Sequence, residues 1–224
     1  MTRDEHYAAV VAFHGHECPG AAVGLRMAET AVAQYGRHDR GSELIAIAEI
    51  DICSVDSVQV LTGCTFGKRN LRHVDNGKNA FTFWRQGDSH GMRVLARPAS
   101  DAFRDAETWS LADKVDTGSA DDTERAAFTQ RQSARIQRIL RARADDLFTV
   151  FTVDQPAPQP ARVYRSEPCA ECQEPTSVAT LHDHRGRMVC PPCHLEAHGG
   201  SLPEEHHGDH RHPAAQEVHG HHQH

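Results

Sequence analysis

The 224-residue sequence predicts an α+β core domain with a mixed or antiparallel sheet and flanking helices, followed by a small C-terminal treble-clef-like zinc finger. Strand-like apolar segments occur in mixed order with helical stretches, which is typical of an α+β core rather than a doubly wound parallel sheet. Two late Cys-x2-Cys pairs have the spacing of a four-thiolate zinc site. We predict four segments: the core at 1–153, a proline-rich linker at 154–162, the zinc finger at 163–199 and a histidine-rich disordered tail at 200–224.

The first predicted element is a helix from Pro19 to Tyr35, which carries an apolar stripe and ends before Gly36. Cys18 takes the N-cap position, with proline in the first helical position that it favours. Gly24 weakens the helix interior, which predicts a close approach of another backbone there. Further helices are predicted at 54–63 and 121–147, and strands at 43–52, 80–85, 92–97 and 148–153, with a hairpin turn at 87–91.

The composition argues against several classes of protein. A formal net charge of -7 disfavours a broad electrostatic attraction to nucleic acid or to an anionic membrane. No apolar run is long enough to span a bilayer, and the N-terminus lacks the apolar segment of a signal peptide, so we expect a cytoplasmic protein. Four of the seven cysteines form two close pairs, which indicates metal ligation rather than a disulfide framework.

Two histidines and a thiol, His14, His16 and Cys18, fall within five residues. The unpaired N–H groups and the dipole at the start of the following helix would stabilise a thiolate at Cys18. If the chain leading to the helix is extended, the two histidines point the same way and three ligands converge. The leading hypothesis is a metal or reactive-thiol site. The alternative is a solvated loop beside a thiol that only packs in the core.

Cys53 and Cys64 compete to complete this site. They lie eleven residues apart, so on one continuous helix they would be separated by about 16 Å, too far to bind one ion. Only one of them can therefore join Cys18, unless the helix is short or bent. Cys53 ends a predicted strand, where functional groups often lie. Cys64 follows a glycine on a loop beside Lys68, which could lower its pKa or bind an anion.

These considerations give a ranking of candidate residues. The predicted core metal ligands are Cys18, Cys53 and His16, followed by His14. Cys64 and Lys68 come next as a thiol and anion-binding pair at the same cleft, and Cys18, Cys64 and Lys68 are the candidates for a catalytic role. Asp51 and Asp56 could orient the ligands, or could instead be only a strand terminus and a charge at a helix N-terminus.

The C-terminal module has the complete pattern of a structural zinc site. Its cysteines are Cys169, Cys172, Cys190 and Cys193. Strands are predicted at 177–181 and 187–189, and a helix is predicted to start just after Cys190. Three arginines, Arg165, Arg185 and Arg187, could offset the negative charge of the zinc–tetrathiolate centre. A module of fewer than about 40 residues buries too little apolar surface to fold alone, so zinc should be a condition of its folding. Because the protein fills all four positions, the ion should be structural.

The segment from His198 onward holds nine of the eighteen histidines and has no periodicity, which predicts a disordered tail. Its histidines could bind Zn²⁺ or Ni²⁺ loosely, or the segment could be a solvated tail without a defined role.

The sequence resembles the FmdE family, which is named for a component of formylmethanofuran dehydrogenase. The resemblance covers roughly residues 8–198 and is carried by Phe-His-Gly-His-Glu-Cys-Pro-Gly at 13–20 with 24–28, by 51–56, 59–68 and 70–71, and by the terminal cysteine pairs. It implies a core that dimerises, an auxiliary treble-clef zinc finger and an association with molybdenum or tungsten enzymes of one-carbon metabolism. Arg69 departs from the family's Gly-Lys-Gly-Asn form, in which a small residue commonly lies.

Three functions fit these patterns. We favour an FmdE-type metal-binding protein that acts as an accessory or a metal- and cofactor-handling partner of a molybdenum or tungsten oxidoreductase. The second hypothesis is an enzyme in its own right, with a metal that activates water or with Cys18 as nucleophile. The third, a zinc-finger module that binds nucleic acid or protein, is disfavoured by the negative net charge.

Overall fold

The computed structural model describes residues 1–39, 43–97, 100, 102–103, 106–159 and 164–200. The chain divides into two compact units, Met1–Ala161 and Arg162–His224, and each is described by itself. The predicted histidine-rich tail lies outside the described residues except for Gly200, and residues 160–162 of the predicted linker also lie outside them.

The first unit is a mixed sheet with helices packed against it. The helices are α1 (Arg3–His14), α2 (Pro19–Tyr35), α3 (Ser54–Thr62), α4 (Ala106–Asp116), α5 (Asp122–Arg141) and α6 (Ala144–Leu147). The strands are β1 (Leu44–Ala48), β2 (Leu71–His73), β3 (Ala80–Arg85), β4 (Gly91–Ala96) and β5 (Phe148–Val153). The sheet order is β2-β1-β3-β4-β5, with β1 and β2 parallel and the other neighbours antiparallel. This architecture confirms the predicted fold class.

The central helix α2 is mostly buried, and its bounds match the prediction. At Gly24 a Cβ atom would lie 2.4 Å from the Cα and the carbonyl oxygen of Ser54, so the predicted close backbone approach is confirmed. Two residues on, the buried guanidinium of Arg26 donates to the carbonyl oxygens of Ile139 and Ala142 at 2.7 Å. These carbonyls lie at the end of α5, where they have no partner within the helix.

Several elements differ from the predictions. The helix predicted at 121–147 is two helices, because the chain is extended at Ala142 (ψ 155°) after α5. The strand predicted at 43–52 ends at Ala48, after which the carbonyl oxygen of Glu49 accepts the N–H groups of Asn76 and Lys78. The sequence analysis did not predict α1, α4 or β2.

The second unit contains two small hairpins and a short helix among its described residues. They are β6 (Ser166–Pro168), β7 (Pro175–Ser177), β8 (His182–His184), β9 (Arg187–Val189) and α7 (Pro191–Ala197). The predicted strand at 177–181 is wrong, since β7 ends at Ser177 and pairs with β6 instead. The pairing of β8 with β9 needs a two-residue turn, and Arg185 and Gly186 supply it with φ of 54° and 78°.

No helix among residues 1–39, 43–97 and the other described ranges has both the length and the apolar character that crossing a membrane requires.

Candidate metal centres

The first candidate centre, here called the core site (His14, His16, Cys18 and Cys53), lies where α1 ends and α2 begins. His14 is the last residue of α1, and Gly15 ends that helix with a left-handed φ of 95°. The chain therefore turns at Gly15, and the condition of an extended chain, under which His14 and His16 would point the same way, does not hold at His14. The turn still brings the imidazole rings of His14 and His16 together, with centroids 4.6 Å apart.

Cys18 is the N-cap of α2, as predicted, and its Sγ accepts the N–H of Ala21 at 3.2 Å. A hydrogen bond from the Cys53 thiol lowers the pKa of Cys18 to about 6, with help from the backbone N–H groups of Ala21 and Gly20 and against the effect of burial. The pKa of Cys53 is raised, first by this hydrogen bond to Cys18 and then by burial. At neutral pH the pair therefore carries a thiolate at Cys18 and a thiol at Cys53.

His14 is held between a carboxylate and this thiolate. Its Nδ1–H donates to Oδ2 of Asp56 at 2.7 Å, and this bond is the main reason that the pKa of His14 is raised. The other ring nitrogen, Nε2, lies 3.5 Å from Sγ of Cys18. A carboxylate that fixes one imidazole nitrogen and aims the other at a shared point is the usual support of a metal-binding histidine.

A cavity of about 350 Å³ adjoins the core site. Its lining includes His14, Ala48, Ile50, Asp51, Ile52, Cys53, Val55, Asp56, Gln59, Phe66 and His73. Asp51 and Asp56, the two carboxylates singled out from the sequence, therefore both face it. The sequence analysis missed His73 because its strand, β2, has only three residues and gave no periodic signal.

The structure brings most of the predicted core ligands together. Ligand atoms of His14, His16 and Cys18 all lie within 4.8 Å of one another. Cys53 adjoins them through Gly20, where an added Cβ would lie 3.0 Å from Cβ of Cys53 and 3.8 Å from Sγ of Cys18. A glycine at position 20 thus leaves the room in which the two sulfurs meet, a role that the sequence analysis did not assign.

The structure does not bring Cys64 and Lys68 to this cavity. The side chain of Cys64 is fully buried, its Sγ–H donates to the carbonyl oxygen of Leu44 at 3.3 Å, and burial raises its pKa to about 11. The ammonium of Lys68 donates to the carbonyl oxygen of Gly63 at 2.8 Å. Neither residue lines the cavity, and the charge of Lys68 lowers the pKa of Cys64 by less than burial raises it, so the thiol is packed in the core.

The second candidate centre, the four-cysteine centre (Cys169, Cys172, Cys190 and Cys193), holds the terminal pairs in one cluster. Their sulfur atoms lie within 4.8 Å of one another, and Sγ of Cys172 is 3.8 Å from Sγ of Cys190. Sγ of Cys169 accepts the N–H groups of Glu171 at 3.4 Å and Cys190 at 3.2 Å. Backbone donors of this kind stabilise thiolates, so the cluster is able to hold a thiophilic metal ion.

Comparison with known proteins identifies the family to which the chain belongs. The family model described as "FmdE, Molybdenum formylmethanofuran dehydrogenase operon" matches residues 13–149, which is more than half of the chain. The chain belongs to the FmdE family. The match spans α2, the five-stranded sheet up to the start of β5, and all four residues of the core site.

The chain is also similar to one solved structure and, by sequence, to one further protein. The chain resembles the crystal structure of a tungsten formylmethanofuran dehydrogenase FmdE-like protein from Syntrophus aciditrophicus, with a TM-score of 0.57, 24% identity and coverage of 88% of this chain and 94% of that one. It is also 31% identical over 180 residues to a "Probable S-adenosyl-L-methionine-binding protein" of Archaeoglobus fulgidus. That alignment covers 76% of this chain but 48% of the relative, so the chain spans about half of the relative's length.

The segment at 59–71 contains the one residue noted above as a departure from the family's Gly-Lys-Gly-Asn form. Arg69 has a φ of 61°, in the left-handed region that favours glycine. The backbone conformation at this position therefore accounts for the small residue of the Gly-Lys-Gly-Asn form.

Proposed function

We propose that this FmdE-family protein binds a transition-metal ion at the core site and serves as an accessory or metal- and cofactor-handling partner of a molybdenum or tungsten oxidoreductase. The observation that carries the metal-binding part is the line Asp56–His14–Cys18, in which a carboxylate aims an imidazole nitrogen at a thiolate. The oxidoreductase partner, of the formylmethanofuran dehydrogenase kind, and a homodimer formed through the core are suggested by the family.

The ligand set suits a borderline divalent ion. His14 and His16 offer imidazole nitrogens and Cys18 offers a thiolate, a mixture that zinc and other late transition metals prefer. Three protein ligands would leave one coordination position for a ligand from the adjoining cavity, where such an ion would act as a Lewis acid. If Cys53 loses its proton and completes the set, the ion is enclosed and its role is structural.

The four-cysteine centre has a different task in this proposal. Four thiolates from the protein leave no open position, so a zinc ion there would build the second unit and take no part in chemistry. Of these two centres, the proposal therefore assigns chemistry to the core site and not to the four-cysteine centre.

Metal counting on the full-length protein tests the core site. Cys18→Ser should bind one equivalent fewer than the wild type, since it removes the only thiolate among the three closest ligands. Asp56→Asn should keep the ion but bind it roughly 10–100-fold more weakly, because it only loosens the orientation of His14. Asp51→Asn is the matched control, a carboxylate that lines the same cavity without a hydrogen bond to His14.

The outcomes separate cleanly, because every variant keeps the histidines after residue 200 and their contribution cancels in the difference. An unchanged metal count in Cys18→Ser, with circular dichroism that shows an intact fold, would overturn the core metal site. Equal weakening by Asp51→Asn and Asp56→Asn would mean that overall charge, and not orientation of His14, governs affinity. Sedimentation with a purified molybdenum or tungsten formylmethanofuran dehydrogenase then tests the partner.

A second candidate is an enzyme that uses the Cys18 thiolate. Its pKa of about 6 and the adjoining cavity favour it, because an accessible thiolate at a helix N-terminus is a nucleophile at neutral pH. The name of the Archaeoglobus relative makes S-adenosylmethionine the first ligand to test. Calorimetric binding that weakens in Asp51→Asn would place the ligand in the cavity, and turnover lost in Cys18→Ser would establish an enzyme.

A further inference from the structure

A second group of potential metal ligands lies in the second unit, outside the four-cysteine centre. His184 ends β8, whereas His194 and His198 lie one helical turn apart at α7 and immediately after it. Ligand nitrogens of all three lie within 4.8 Å of one another. We name these residues the histidine triad (His184, His194 and His198). The spacing of the cysteines neither requires nor explains this convergence.

Hydrogen bonding prepares one member of the triad for a cation. Nδ1 of His198 lies 2.7 Å from the carbonyl oxygen of His194, and a carbonyl can only accept, so this nitrogen carries the proton. In the neutral ring the lone pair is then on Nε2, which is the arrangement found in metal-binding histidines whose other nitrogen is fixed by a carbonyl.

A second member has a buried nitrogen without a partner. Nδ1 of His194 is buried and makes no hydrogen bond within the described part of the chain. The centroid of its ring lies 4.4 Å from that of His198 and 6.2 Å from that of His184, and the rings of His184 and His198 are 5.1 Å apart. A buried polar atom without a partner costs free energy. A cation bound by the triad would offset the cost of holding three imidazole rings this close together.

We propose that the histidine triad binds a borderline divalent transition-metal ion, such as Ni²⁺, Cu²⁺ or Zn²⁺, independently of the four-cysteine centre. Imidazole is the ligand that these ions share. Three neutral ligands leave the ion its full positive charge and at least one open coordination position, and His198 is exposed to solvent. The triad therefore binds an exchangeable ion, whereas four thiolates enclose a permanent one.

The test uses Ni²⁺ as the probe and the full-length protein with zinc already bound. Equilibrium dialysis followed by metal analysis gives the equivalents of Ni²⁺ bound by the wild type, His184→Gln, His194→Gln and His182→Gln. His182 is the matched control, because its ring stacks on His194 at 4.7 Å between centroids but it is not a member of the triad. The eight histidines after residue 200 are present in every protein, so their contribution cancels.

We expect His184→Gln and His194→Gln each to bind one Ni²⁺ fewer than the wild type, and His182→Gln to bind the wild-type amount. Equal Ni²⁺ binding by all four proteins would overturn the proposal, and so would an equal loss in His182→Gln. In a parallel sample in which Co²⁺ replaces the zinc of the four-cysteine centre, the Co²⁺–thiolate absorption reports the fold of the unit. Loss of Ni²⁺ together with that absorption in both triad variants would mean that these histidines only support the fold, which also overturns the proposal.

Discussion

At the scale of single residues, a largely buried ion pair of the first unit joins Glu49, just after β1, to Arg93 on β4. Nη2 of Arg93 donates to Oε2 of Glu49 at 2.9 Å, and Asn76 donates to the same oxygen at 3.2 Å. The side chains of Glu49 and Arg93 are only 9% and 21% exposed, so solvent screens the pair weakly. The bond from Arg93 holds the pKa of Glu49 below its usual value.

Glu49→Gln should therefore destabilise the protein in a manner that depends on pH. A carboxylate with a depressed folded-state pKa contributes stability that is fully present above its unfolded value of about 4.5 and is lost as pH falls through the folded pKa. At pH 7 we expect a loss of roughly 2 kcal/mol, the scale of a hydrogen bond to a charged group. Urea denaturation at pH 7 and at pH 3 measures the difference, which should shrink at the lower pH.

The exposed Glu43→Gln is the control for this change, since Glu43 is also adjacent to β1 and its substitution removes the same charge. A destabilisation by Glu49→Gln that stays constant between the two pH values would contradict the electrostatic explanation and indicate a loss of packing instead.

The residues of the core site could be chosen from sequence, but the contacts that join them could not. Clustering at a helix start and the chemistry of thiols and imidazoles selected His14, His16 and Cys18, and the end of a predicted strand added Cys53. The expected length of a helix indicated only that one of Cys53 and Cys64 can join Cys18, and Cys53 was preferred because it ends a predicted strand. Cys64 is excluded because it is buried beneath the carbonyl of Leu44, a tertiary contact without a local sequence signal.

At the scale of elements, the fold was predictable where caps and periodicity agreed. The N-cap, the first-turn proline and the final glycine of α2 gave its bounds, whereas β2 has three residues and no turn of its own. Helix α1 did have a signal that could have found it, because Thr2 and Glu5 form a capping box. Without α1, the sequence analysis could treat the convergence of His14 and His16 only under the condition of an extended chain, which His14 does not meet.

The contact between α2 and α3 gives an element-scale prediction. Gly24→Ala places a Cβ about where the backbone of Ser54 lies, so the two helices must separate. We expect a loss of about 1–3 kcal/mol from overpacking, and a thermal transition lowered by roughly 2–4 °C for each kcal/mol. Because Ser54 follows Cys53 directly, metal affinity at the core site should fall as well.

Gly67→Ala is the control for Gly24→Ala, since nothing lies within 4 Å of a Cβ added at this exposed glycine. Equal melting temperatures of the two variants in scanning calorimetry would show that the helices accommodate the extra methyl group without separating.

At the scale of the molecule, the two units have very different cores. The first unit buries a large apolar cluster that includes Leu25, Phe81 and Phe83. Among the described residues of the second unit, the buried cluster consists of Cys169, Val189 and Cys190, and two of these three residues are thiols of the four-cysteine centre. So little apolar surface cannot offset the conformational entropy of the chain, so a metal ion held by the four thiolates would be the main source of stability there.

Cys172→Ser should therefore unfold the second unit. Structural zinc contributes about 10–16 kcal/mol of apparent binding free energy in zinc-finger peptides. Removing one of the four thiolates should lose enough of this binding free energy to unfold the β8–β9 hairpin. Hydrogen exchange of the backbone amides that pair β8 with β9 measures this, and their protection should vanish together with one equivalent of zinc. Glu196→Gln, an exposed change on α7, should leave both unchanged. Protected amides in a Cys172→Ser protein that has lost its zinc would mean that the hairpins and α7 fold without the ion, and the small buried cluster would then have to be sufficient.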